Sequence, residues 1–93
     1  MSIFNYFGKA FRHMELMDRM MDAVGVTGKL KSLPGAANVL RRASARCRTC
    51  KYPGSCEVLL DNNELLDEAP RYCRNHDLFI RLKQEIEAEK AAA

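Results

Sequence analysis

The chain has 93 residues, a formal net charge of +3, 47% hydrophobic and 29% charged residues. That length is one domain with a thin core, burying only about 60–65% of the surface its unfolded form exposes. The composition is that of a globular chain, which excludes wholly disordered and collagen-like classes, and no apolar run approaches the roughly 20 residues a bilayer span needs.

The first eleven residues, MSIFNYFGKAF, carry no basic start, apolar core and cleavage site of the export type. The expected location is therefore the cytoplasm. A first helix is predicted over Ile3–Val24. Phe7, Ala10, Met14, Met17, Met21 and Val24 recur at alternating spacings of three and four, and Phe4, Phe11, Leu16 and Met20 widen that stripe. Gly25 is its expected terminator. Val26–Leu33, with Gly28, two lysines and a serine, reads as a loop. A second helix is expected from near Pro34, with Ala36, Val39, Leu40, Ala43 and Cys47 on one face. Arg41 and Arg48 then lie on one flank of that face, Arg42 and Arg46 on the other.

Lys51-Tyr52-Pro53-Gly54-Ser55 reads as a turn, with Ser55 capping a short third helix through Val58–Leu60. Asn62-Asn63 breaks it or starts a further turn carrying Leu65 and Leu66. Pro70 precedes the last cysteine. Asn75 is a candidate cap for a final helix whose buried stripe is Leu78, Phe79, Leu82 and Ile86, and Glu87–Ala93 reads as a fraying tail. No strand pattern or internal repeat is present. The expected fold is all-α, a small bundle of three to five helices with a cysteine-bearing loop. Residues 1–13 extend the first helix, 14–88 form the single helical domain, and 89–93 are a tail.

Cys47, Cys50, Cys56 and Cys73 have the spacing C-x2-C-x5-C-x16-C. In a reducing compartment, clustered cysteines are more often metal ligands or redox groups than disulfides. The Cys47/Cys50 pair can turn back onto one metal, Cys56 follows a Pro-Gly turn, and Cys73 arrives from a distant segment to close a fourth position. Four thiolates hold a zinc ion or an iron–sulfur cluster, and either supplies the staple that a thin core needs. One close pair and two single cysteines, rather than two pairs, favours the cluster over zinc. The order C-x2-C-x5-C also resembles the last three ligands of the cluster loop in endonuclease III-type DNA glycosylases, over Cys47–Cys56 alone. Two disulfides, or reduced buried cysteines, are the alternative.

Arg46, Arg48, Lys51, Arg71 and Arg74 surround the cysteines in sequence. They are expected to offset thiolate charge and to lower the thiol pKa of an empty site, which would make it reactive. His76 is an alternative ligand, read more simply as a first-turn residue of the last helix, and His13 is given no role. Asp61, Glu64, Asp67 and Glu68 read as a solvated acidic patch. With no nucleophile, phosphate-loop or paired-carboxylate pattern, no catalytic residue is assigned and the protein is not expected to be an enzyme.

The five basic residues from Arg41 to Lys51 are read as a solvated flank that compensates the cysteines, because the net charge is small and no known DNA-binding motif stands out. Phosphate tracking by Arg41, Arg42, Arg46 and Arg48 is the rival reading. The Met/Phe-rich first helix is read as core, with Phe4, Phe7, Phe11 and the methionines as a candidate surface for a protein partner. Glu15, Asp18 and Asp22 count against a membrane-surface role.

Three stretches together resemble one known family. They are Met14–Val26 (MELMDRMMDAVGV), Arg46-Cys-Arg-Thr-Cys50 with Cys56, and Ala69-Pro-Arg-Tyr-Cys-Arg-Asn75. In that order they are similar to the small bacterial family known as domain of unknown function 6455, frequent in alphaproteobacteria. The resemblance covers roughly Met14–Leu82. Many members carry a Trp after the third cysteine, where this chain has Val58-Leu59-Leu60. The family brings no activity, so the expected function rests on the cysteines. That function is a small cytoplasmic metal-binding protein, with an iron–sulfur cluster ahead of zinc, serving as an accessory or redox-responsive regulator through a partner.

Overall fold

The computed structural model describes residues 3–93, with side chains from residue 11 onward. Five helices and no strand occur among the described residues: α1 (Ile3–Val24), α2 (Thr27–Ser32), α3 (Ala36–Arg48), α4 (Pro53–Asn62) and α5 (His76–Ala92). The all-α bundle is as expected.

Helix α1 is the spine. Its apolar stripe buries Leu16, Met17, Met20, Met21, Ala23 and Val24. The stripe is centred later than the sequence periodicity suggests, because Phe11 and Met14 stay 66% and 54% exposed. The side chains of Phe4, Phe7 and Ala10 lie outside the described residues. The helix stops at Gly25, whose φ of +84° is a left-handed conformation that side chains disfavour. There the Gly25 N–H bonds the Asp22 carbonyl at 3.1 Å and the Val26 N–H bonds the Met21 carbonyl at 3.0 Å, the Schellman closure of a helix end.

The segment expected as a loop, Val26–Leu33, instead contains α2. The composition is weakly helical, but one turn of helix brings Val26 and Leu30 onto one face, and both are completely buried. Burial of two branched side chains overrides a poor local propensity. The start of α3 also differs from expectation. Leu33 is extended (φ −68°, ψ 144°), as a residue before proline must be. Gly35 then takes φ +70° at the cap, so Pro34 lies in the turn and the helix begins at Ala36.

Helix α4 starts earlier than expected. Pro53 occupies its first turn, where a missing N–H costs nothing, so Pro53-Gly54-Ser55 is helix and Ser55 is no cap. The two asparagines do end it. Asn62 Nδ2 donates to the Val58 carbonyl at 2.7 Å and Asn63 Nδ2 to the Leu59 carbonyl at 2.9 Å. The irregular stretch that follows is pinned to the spine by the Leu66 N–H on the Ala23 carbonyl at 2.9 Å, while Leu65 is exposed. Helix α5 buries Phe79 and Leu82 and packs Leu78 and Ile86 against the core. It continues through the exposed 87–92 segment.

Helices α3 and α4 both lie on α1, and α2 bridges to α3 and α5, whereas α3, α4 and α5 touch one another little. Exposed ion pairs tie Arg12 to Glu57 at 2.7 Å and Arg19 to Asp61 at 2.8 Å across α1 and α4. Lys29 of α2 similarly meets Glu85 and Glu89 of α5. Such surface pairs contribute little each, so the apolar stripe carries the packing. Replacing Leu30 by alanine is expected to cost about 2–5 kcal/mol in urea unfolding. Replacing its exposed neighbour Lys31 should change stability by less than about 0.5 kcal/mol.

Candidate functional site

The four cysteines reach one place from three parts of the chain. Cys47 is in the last turn of α3, on its inward face. The Cys50 N–H bonds the Cys47 carbonyl at 3.0 Å, so the chain doubles back after the helix. Cys56 lies in the first turns of α4, its N–H on the Tyr52 carbonyl at 3.0 Å. Cys73 is held between two turns, its N–H on the Pro70 carbonyl and its carbonyl accepting from the His76 N–H, each at 3.0 Å.

All four are free thiols and partly buried. They line one pocket whose apolar wall is Leu16, Met17 and Met20 of α1 with Phe79 of α5, completed by Tyr72, Arg74 and Asn75. Tyr72 packs on Tyr52 with ring centroids 5.4 Å apart. The free volume between the side chains is about 30 Å³. Among the described residues, no group of three or more His, Cys, Asp or Glu side chains is close enough to hold a metal ion as it stands.

Polar contacts position the sulfurs. The Cys47 thiol donates to the His13 carbonyl at 3.5 Å. Cys50 Sγ accepts from the Tyr52 N–H at 3.4 Å, and Cys73 feels a backbone hydrogen bond from Asn75 that favours its thiolate. Asn75 precedes α5 at the cap position but makes no side-chain cap bond. Its side chain instead crosses to α3. Nδ2 donates to the Ala43 carbonyl at 2.9 Å and Oδ1 accepts from Arg46 at 3.3 Å. Asn75 is the buried polar residue of the core, 2% exposed, and both ends of its amide are satisfied, as burial demands. It locks the Cys73 segment to the helix that carries Cys47.

The electrostatics differ from the sequence expectation. Burial, reinforced by the charges of Cys73, Cys50 and Cys56, pushes the Cys47 thiol up from 9.0 to about 12. Burial, then Cys73 and Cys50, pushes Cys56 up to about 11. Cys73 is also raised, chiefly by burial. The expected lowering by Arg46, Arg48, Lys51, Arg71 and Arg74 does not occur at these thiols. The one base that opposes the shift is Arg19 of α1, acting on Cys56. Those five bases are all exposed, and apolar walls dominate over screened charges. Without a metal, Cys47, Cys56 and Cys73 are therefore protonated and poorly nucleophilic.

His76 is the first residue of α5, as read from the sequence. Its Nδ1 is 3.0 Å from Asp77 Oδ1 and it does not line the cysteine pocket. The acidic residues Asp61, Glu64, Asp67 and Glu68 are exposed, and Asp61 pairs with Arg19. Sequence reasoning missed two contributors, the side chain of Asn75 and the backbone of His13. Asn75 stands two residues after Cys73, a position that hints at a role beside the thiol. Nothing in the sequence marks a backbone carbonyl.

These features define a small all-α protein built around a pocket of four free cysteines. The model of the family described as Family of unknown function (DUF6455) matches residues 4–85, and the chain belongs to that family. No curated protein and no solved structure matches the chain. Among the described residues, no helix is long and apolar enough to cross a membrane.

The raised thiols predict a pH dependence for reduced, metal-free protein. Unfolded thiols ionise near 9.0, whereas folded Cys47 and Cys56 stay protonated to about 12 and about 11. Their contribution is fully present below pH 9 and is lost as pH rises through the folded values. The urea midpoint is expected to fall between pH 8 and pH 10.5, and to fall less in Cys47→Ser.

Proposed function

We propose that this protein holds an iron–sulfur cluster on Cys47, Cys50, Cys56 and Cys73 and acts, without catalysis, as a redox-responsive accessory protein of the cytoplasm. The observation that carries this reading is the convergence of four free thiols from three chain segments on one apolar-walled pocket. Burial and the mutual charges of these thiols raise their pKa, and four thiolates are a ligand set that would hold an iron–sulfur cluster. Backbone N–H groups aimed at Cys50 and Cys73 favour thiolates in such a centre.

A cluster bound there would join α3, α4 and α5, which otherwise meet mainly through α1 and α2. Its loss on oxidation would free those three elements from one another and change the surface offered to a partner. Phe11 and Met14, exposed on the outer side of α1, supply apolar area for a protein partner on that helix.

A second reading is a structural zinc ion, favoured by the free volume of about 30 Å³, room for about one or two water-sized species. Protein purified without oxygen, beside Cys73→Ser, separates the two. Iron with acid-labile sulfide, lost or reduced in the variant, is the expected result. One zinc per chain would replace it with the second reading, and neither metal would overturn both.

A further inference from the structure

Apart from the Arg46 hydrogen bond to Asn75, the outward face of α3 takes no part in the cysteine pocket. Arg41, Arg42, Arg46 and Arg48 are all exposed there. At about 100° per residue, Arg41 and Arg48 lie on one edge of that face and Arg42 and Arg46 on the other, with Asn38 and Ala45 between. No acidic residue occurs from Ala36 to Cys56. Among the described residues, the ion pairs use Arg12, Arg19, Lys29 and His76, and none of the four α3 arginines meets a carboxylate. Arg46 alone is engaged, on the neutral amide of Asn75.

The surroundings of this face add a second observation. Helix α3 is preceded by the short α2 and a three-residue turn, Leu33-Pro34-Gly35, in which Gly35 takes φ +70°. Helix α1 packs against both. A short helix, a glycine-containing turn and a second helix with a free polar face is the order of elements in helix-turn-helix units, whose second helix enters the major groove. Sequence alone hid this arrangement, because Val26–Leu33 reads as a loop.

We infer that α3 docks into duplex DNA, with Arg41, Arg42 and Arg48 on phosphates and base edges and Asn38 facing the groove. Guanidinium groups suit both contacts, since their planar forks meet phosphate and guanine edges bidentately. Single-strand binding fits less well, because Tyr52 and Tyr72, which might stack bases, pack on each other. The inference does not depend on the metal reading, since α3 and its arginines are in place without a metal.

The test is an anisotropy titration of the full reduced chain against a labelled random-sequence DNA duplex of about two helical turns, between about 50 and 200 mM salt. The comparison variants are Arg41→Gln/Arg42→Gln and the charge-matched Arg81→Gln/Lys90→Gln. All four positions are exposed and glutamine keeps helix propensity, with helicity checked by circular dichroism. The wild type is expected to bind with a Kd of about 1–100 μM at physiological salt. The α3 variant should bind at least about tenfold more weakly, with a log–log salt slope shallower by about 1.8, and the control should bind like wild type. Absence of binding at low salt, or equal weakening in both variants, would overturn the inference. Tighter binding to the separated single strand, or to a polyglutamate peptide, would overturn it in favour of those partners.

Discussion

Everything in this molecule leans on one stripe of α1. Leu16, Met17, Met20, Met21, Ala23 and Val24 form the surface on which α3 and α4 settle. Three of them, Leu16, Met17 and Met20, also form the cysteine pocket's apolar wall, together with Phe79 of α5. A single helix thus serves both the core and the site. Three of these six residues are methionines, whose unbranched side chains fit an irregular junction of several elements.

The pocket has two characters that pull against each other. Its apolar wall penalises charge, which keeps Cys47 and Cys56 protonated in the absence of a cation. Two of its sulfurs, Cys50 and Cys73, nevertheless receive backbone N–H donors that favour thiolates, whereas the Cys47 thiol donates to the His13 carbonyl. The centre proposed above would reconcile the two, because its cationic charge would replace the solvation that burial removes. Asn75 makes the geometry persistent. It fixes Cys73 to α3 through two side-chain hydrogen bonds, and a buried amide with both ends engaged resists rearrangement.

The sequence was most legible where periodicity was long. The bounds of α1, the inward turn of Cys47 and the buried stripe of Phe79 and Leu82 follow from 3.6-residue spacing, and the order of motifs marks the family. Short elements were less legible. Helix α2 exists because it buries Val26 and Leu30 completely against the rest of the fold, which no local pattern records. Pro53 was read as a turn residue when it opens a helix, two roles that share one fixed φ. The thiol environment was misread for a related reason. Arginines adjacent in sequence stay exposed, even Arg74 which lines the pocket, so burial outweighs their charge in setting the thiol pKa.

The distances along the chain between the cysteines also set an order of events. Cys47, Cys50 and Cys56 are close neighbours and need only α3, a turn and the start of α4. Cys73 reaches them by closing a much longer loop, pinned by Leu66 on Ala23, and longer closures cost more chain entropy. During synthesis the amino-terminal helices also emerge first. A growing chain therefore presents three of the four thiols before the fourth exists. A centre of the proposed kind that entered early would meet an open site with one vacant position, which Cys73 would fill last.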